Sequence, residues 1–106
     1  MNISITARGG KASDRMKKYL TDRIARKQRV YEGVIETEVI LSYEKQTQVA
    51  ELKLKVHNKT LFVKERSDDI YKSIDMALDN CERQIKKIKE RMREHGNEKI
   101  ADKIAV

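Results

Sequence analysis

A chain of 106 residues with 24 Lys and Arg against 17 Asp and Glu, a formal charge of +7, fits one compact domain with a small core. Hydrophobic and charged residues each make up 39%, too apolar in the periodic segments for disorder and too charged for a deeply buried chain. No apolar run is long enough to span a bilayer, and the opening MNISITARGG lacks the apolar centre of a signal peptide, so the expected location is the cytoplasm.

The pattern along the chain alternates between periods of two and of about 3.6. Asn2 to Arg8 places Ile3, Ile5 and Ala7 on one side and Ser4 and Thr6 on the other, a half-buried strand ended by Gly9-Gly10. Ser13 and Asp14 then supply a capping hydroxyl and an acid against the helix dipole, and Met16, Leu20, Ile24 and Tyr31 continue an apolar stripe; a helix is expected from about Ser13 to Val30. A strand over Val34 to Glu44 carries Val39, Leu41 and Tyr43 on one side. After the turn Lys45-Gln46-Thr47, Ala50, Leu52, Leu54 and Val56 alternate with Glu51, Lys53 and Lys55. A turn at His57-Asn58-Lys59 leads into a fourth strand, Thr60 to Arg66.

Ser67-Asp68-Asp69 caps the last helix, whose stripe of Ile70, Ile74, Leu78, Cys81, Ile85, Ile88 and Met92 steps by four and three. Gly96-Asn97 is the expected stop. The order is β-α-β-β-β-α, an α+β domain. Since only one face of the four-stranded sheet is apolar, both helices should pack on that face. Residues 1–95 form the expected domain and 96–106 a short C-terminal tail, with a weak amphipathic turn through Ile100 and Ile104.

Positive charge attracts polyanions, nucleic acid or an anionic membrane surface first, although a basic balance kept for solubility explains the composition equally well. Placement is more informative. Residues 13–31 hold seven cations against two acids, a net +5; residues 67–82 are net −4 and residues 83–95 net +4. The second helix follows the helix dipole, with acids at its start and bases at its end. The first does not: Arg15, Lys18, Arg26 and Arg29 form a stripe with few acids beside it, which suggests a polyanion. Arg23 and Lys27 fall inside the apolar stripe, where an unpaired buried charge is costly, so both must reach water or a partner.

With elements and charges placed, the sequence resembles the ribosome hibernation-promoting and ribosome-associated inhibitor family, also called the subunit-interface or sigma-54 modulation family, over about residues 1–95. Ser67-Asp68-Asp69-Ile70-Tyr71-Lys72-Ser73-Ile74-Asp75 looks like its D-M-Y-x-A-I-D signature. Glu82-Arg83-Gln84-Ile85 and Lys87 stand for its ERQL-x-K stretch, and Met1-Asn2-Ile3, Ile5, Ala25-Arg26 and Val39-x-Leu41-x-x-Glu44-Lys45 add support. The chain departs from the pattern at Lys27, where leucine is usual, and at Asn80, where lysine is common. It also lacks a glycine in the third turn, which leaves Asn58-Lys59 to take the strained backbone position.

The resemblance implies a domain similar to the double-stranded RNA-binding fold, monomeric when free. Its partner would be the small ribosomal subunit, through 16S rRNA at the channel used by mRNA and tRNA, and through it the assembled ribosome. There it would inhibit translation and keep idle ribosomes intact under stress. Long members add a C-terminal dimerising domain, so this chain is expected to be a short form or an N-terminal domain. Family positions and charge together select Lys17, Arg23, Arg26, Arg29, Arg83, Lys86, Lys87 and Arg91 as rRNA contacts, with Asp69, Tyr71 and Asp75 as signature residues. Asp69 also suits a helix-start acid, and Tyr71 borders the core stripe.

Phosphate contacts and shape suffice for docking on folded RNA. With 5% aromatic residues and no Trp, a single-strand stacking platform is not expected. His57 and His95 stand alone, Cys81 is a single reduced core thiol, and no glycine-rich phosphate loop follows a strand; no enzyme activity, metal, cofactor or small-molecule substrate is expected, nor a membrane partner. The rival class is a protein–protein adaptor of a regulatory factor, in which the long stripe of the second helix pairs with a partner helix.

Overall fold

The protein is described here by a computed structural model covering residues 1–9 and 11–105, with side chains through residue 93. The elements are β1 (Asn2–Ala7), α1 (Asp14–Ala25), β2 (Val34–Glu44), β3 (Thr47–Val56), β4 (Lys59–Ser67) and α2 (Ile70–Ala105). The expected β-α-β-β-β-α order is present. The strands form one mixed sheet in the order β1-β2-β3-β4. β1 runs parallel to β2, with α1 as the crossover that a parallel pair requires, and the other pairs are antiparallel.

Period-two patterning decides the faces. Val39 and Leu41, then Ala50, Leu52, Leu54 and Val56, then Val63 turn to one side and are almost fully buried. Leu20 and Ile24 of α1 and Ile70, Ile74, Ala77, Leu78, Cys81, Ile85 and Ile88 of α2 join them in a single cluster. Each fully buried Leu or Ile contributes about 1.5–3 kcal/mol. The other face carries the charged residues that the alternation demands and is exposed at Lys53, Lys55, Phe62 and Lys64, although Val49 and Ser42, paired on that face, are buried.

Two-residue turns connect the antiparallel strands, since Glu44 pairs with Thr47 and Val56 with Lys59. The strained position of the second turn falls on His57, at φ 56°, and not on Asn58-Lys59; Lys45 takes the matching position in the first turn, at φ 54°. The pairing of Val56 with Lys59 makes His57 the first turn residue, and histidine is among the side chains enriched in the left-handed region.

Both helices end elsewhere than the periodicity suggests. α1 stops at Ala25, not Val30. Continued helix would bring Lys27 and Gln28, three and four positions past Ile24, onto the core side, where neither finds an apolar environment. The chain instead turns, held by Lys27 N–H to Ile24 O (3.0 Å), Tyr31 N–H to Lys27 O (3.1 Å) and Val34 N–H to Tyr31 O (3.0 Å), so that Tyr31 still reaches the core. α2 runs through Gly96-Asn97 to Ala105. One interior glycine costs only about 1 kcal/mol against alanine, and no proline follows. The buried stripe ends before the helix does: Ile88 is buried while Met92 is 46% exposed. The side chains of Ile100 and Ile104 lie outside those described, as does Gly10 of the expected Gly9-Gly10 turn.

Candidate nucleic-acid interface

Ser13 starts α1 as its sequence predicts, its hydroxyl accepting from Met16 N–H at 3.1 Å. The start of α2 is held from the sheet as well as locally. Asp69 Oδ1 accepts from Tyr71 N–H (2.9 Å), while Gln48 of β3 accepts from Ile70 N–H through its side chain (2.7 Å) and from Ser73 Oγ through its carbonyl (2.7 Å). Asp69 is therefore a helix-capping acid. The Gln48 bonds set the position of α2 against β3, and with it the cations further along the helix.

The seam between α1 and α2 is where the two cations of the apolar stripe go. Tyr19 donates its hydroxyl to Asp75 Oδ1 at 2.7 Å; Arg23 donates to the Tyr19 oxygen at 2.9 Å, lies 3.7 Å from Asp75 Oδ2 and stacks over the Tyr19 ring at 4.9 Å. Tyr71 meets Tyr19 edge to face, with ring centroids 4.9 Å apart. One turn on, Lys27 Nζ is 3.3 Å and Lys86 Nζ 4.0 Å from Glu82 Oε1. Burial raises the pKa of the Tyr19 hydroxyl, its bond to Asp75 and that carboxylate's charge add to the rise, and Arg23 opposes it. With Asp79 beside Asp75 and Glu82, this groove carries more acid than base and does not suit a polyanion.

The opposite flank of α2 differs. Arg83, Lys87 and Arg91 recur every four residues, about 6 Å apart along the helix axis, and with Lys59 at the start of β4 they line an open groove of about 450 Å³. Leu61 and Ile88 are apolar parts of its wall. Among the described residues no carboxylate lies within 4.0 Å of these four cations. Asn80, in the position where lysine was expected, also lines the groove; its amide reaches Glu65 Oε2 at 3.4 Å and its oxygen accepts from Gln84 at 2.9 Å. It braces α2 against β4 without adding charge.

The eight cations selected from the sequence are all exposed, but they do not share one surface. Arg83, Lys87 and Arg91 come together with Lys59. Lys86 belongs to the seam. Arg23 is engaged by Tyr19 and Asp75, so its charge is partly spent within the fold. Lys17 lies about 120° round α1 from Arg23, on the flank turned away from α2. Arg26 caps α1, and Arg29 sits in the turns beyond, so the Arg15-Lys18-Arg26-Arg29 stripe is not one continuous helical ridge. Tyr71 and Asp75 brace the two helices.

Three residues that sequence reasoning passed over matter here. Lys59 read only as a turn residue. Lys89 Nζ donates to the carbonyls of Arg29 (2.7 Å) and Val30 (2.9 Å), closing the end of the α1–β2 connection onto α2. Tyr19 had one usable signal, its four-residue spacing from Arg23.

A mixed four-stranded sheet with two cation-bearing helices on one face defines a small, basic α+β domain. The chain belongs to the family described as Sigma 54 modulation protein / S30EA ribosomal protein, which it matches over residues 3–93. It is similar to the ribosome hibernation promoting factor of Klebsiella oxytoca, at 24% identity over 95 residues covering 90% of this chain and 100% of that one. It is also similar to that of Azotobacter vinelandii, at 28% over 91 residues covering 86% and 85%. Among solved structures, a ribosomal subunit interface protein from Coxiella burnetii shares the fold with TM-score 0.80 at 23% identity, covering 85% of this chain and 99% of that one. The N-terminal domain of Thermus thermophilus Protein Y gives TM-score 0.75 at 29% identity, covering 83% and 99%.

Proposed function

We propose that this protein docks on the small ribosomal subunit, on 16S rRNA at the channel for mRNA and tRNA, and thereby inhibits translation and preserves idle ribosomes. The observation that carries the reading is the row of Arg83, Lys87 and Arg91 with Lys59, four cations along one groove with no carboxylate within 4.0 Å among the described residues. Such a row matches phosphates held in fixed register by folded RNA and does not require bases to be read. The relatives named as ribosome hibernation promoting factors support the choice of the ribosome as the RNA. Arg26, at the end of α1, lies outside this groove and is assigned a separate contact.

Sedimentation with purified small subunits at two salt concentrations tests this. Each phosphate contact lowers the slope of log K against log salt by roughly 0.7–0.9, so co-sedimentation should fall steeply between about 50 and 200 mM salt. The double variant Arg26→Glu, Arg83→Glu should lose both co-sedimentation and inhibition of cell-free translation while keeping its circular dichroism. Wild-type protein that stays at the top of the gradient at low salt would overturn the ribosome reading; undiminished inhibition by the double variant would move the contact to another surface. Salt-insensitive binding would favour the adaptor reading, in which the exposed stretch of α2 beyond Ile88 meets a partner helix.

A further inference from the structure

The face of the sheet opposite the helices carries an aromatic side chain that the docking proposal leaves unused. Phe62, in the middle of β4, is 71% exposed, the most exposed large hydrophobic residue among those described. It stands directly across from Lys53 of β3, whose ammonium lies 5.6 Å from the ring centroid. Lys64 and Arg66 follow on the same outward side of β4, paired in register with Glu51 and Val49. Beside the ring is a hollow of about 320 Å³ floored in part by Ile40, large enough for a planar heterocycle.

Charge on this face is graded. Its acids are Glu36 and Glu38 on β2 and Glu51 on β3. Glu36 is 3.9 Å from Lys55, and Glu51 is 3.5 Å from Lys64. Among the described residues no carboxylate comes within 4.0 Å of Lys53 or Arg66. Lys53 stands between Phe62 and Glu38, its register partners on the two sides, so positive charge is strongest across from the ring at Lys53 and further along β4 at Arg66, and declines toward β2. The apolar area is a single ring with Ile40 nearby, far less than the contiguous core of a stable protein–protein interface, which needs about 800 Å² per partner.

An isolated flat ring between cations on a sheet is suited to an unpaired base, whose π-face stacks on the aromatic while flanking phosphates meet the cations. We infer that the outer sheet face is a second nucleic-acid contact, separate from the helix side, at which a single-stranded RNA segment runs along β3 and β4 with one base stacked on Phe62 and its phosphates near Lys53 and Arg66. Stacking on the ring does not itself discriminate among bases, because every base presents a π-face. It is independent of the α2–β4 groove, and its failure leaves the docking proposal standing.

The test uses the full chain and two fluorescein-labelled probes, a ten-nucleotide single-stranded oligoadenylate and a ten-base-pair RNA duplex, followed by anisotropy at low salt. Phe62→Ala should weaken oligoadenylate binding about tenfold, in line with the loss of one stacked base, and leave duplex binding unchanged. Phe62→Trp should restore the affinity. As the chain has no tryptophan of its own, the fluorescence of that variant should be quenched on adding unlabelled oligoadenylate. Unchanged oligoadenylate affinity in Phe62→Ala, or equal losses on both probes, overturns the inference. So does analytical ultracentrifugation showing a wild-type dimer that Phe62→Ala dissociates, which would make the ring a contact between copies.

Discussion

Tyr19 of α1 donates its phenolic hydrogen to Asp75 of α2 at 2.7 Å, joining residues fifty-six positions apart in the chain. Arg23 completes the group by donating to the same tyrosine oxygen and facing the same carboxylate. The signature aspartate therefore serves the packing of one helix against the other, and it accounts for a cation that would otherwise intrude on the core stripe. Its contribution is limited by exposure, since Arg23 and Asp75 side chains retain 43% and 40% of their accessible surface.

Removing the tyrosine hydroxyl isolates this interaction. Tyr19→Phe should cost about 0.5–1.5 kcal/mol, the net worth of one hydrogen bond, read as a lower midpoint in urea unfolding with unchanged slope. A double-mutant cycle with Asp75→Ala should return a coupling of the same order. A coupling indistinguishable from zero would mean that water replaces the bond without loss.

Stability should decline in alkali for a reason rooted in the core. Burial pushes the Cys81 thiol from 9.0 up to about 12. Burial also raises the pKa of Tyr31, with smaller contributions from Cys81, Glu82 and Asp79. In the unfolded chain these groups ionise at ordinary values, so above about pH 9 the unfolded state holds fewer protons than the folded one and unfolding becomes easier as pH rises. The contribution is intact below about pH 9 and is lost progressively toward pH 12. Urea midpoints at pH 8 and pH 10.5 check the direction, with Cys81→Ala expected to flatten part of the difference. At pH 8 the native thiol should also resist a disulfide reagent that labels it readily in denaturant.

Gly33 ends the α1–β2 connection at φ 92°, a backbone conformation that side chains strain to adopt. A Cβ there would also come within 3.2 Å of His57 Nε2 and 3.3 Å of its Cε1. Gly33→Ala should destabilise the protein by about 1–3 kcal/mol, visible as a fall in Tm of several degrees for a domain of this size. Adding His57→Ala should recover only the steric part. Full recovery would place the strain in the contact, and no loss would show that the backbone relaxes freely.

Much of the architecture follows from local periodicity. The alternation of Ala50, Leu52, Leu54 and Val56 settles which face of β3 is buried, because side chains on a strand must alternate whatever the strand packs against. The four-and-three spacing from Ile70 to Ile88 likewise sets the inward side of α2, and Ser13 marks the start of α1 by chemistry carried within one turn. The family signature could be read from residues 67–75 for the same reason, being contiguous.

The candidate site was legible only as an inventory of cations. Which of them stand together depends on the angle at which α2 crosses β4, and that is set by contacts such as Gln48 with Ile70 and Ser73, twenty-two and twenty-five residues apart. Periodicity along one element carries no information about the element beside it. Hence Lys59 joined Arg83, Lys87 and Arg91 unforeseen, and Arg23 and Lys27 turned to Asp75 and Glu82. The parallel pairing of β1 with β2 and the early end of α1 were decided in the same way, by where the chain could bury apolar surface without burying a charge. By itself the sequence determined the elements, their buried faces and the sign of the surface; only the tertiary structure decided which charges neutralise one another and which remain available to a partner.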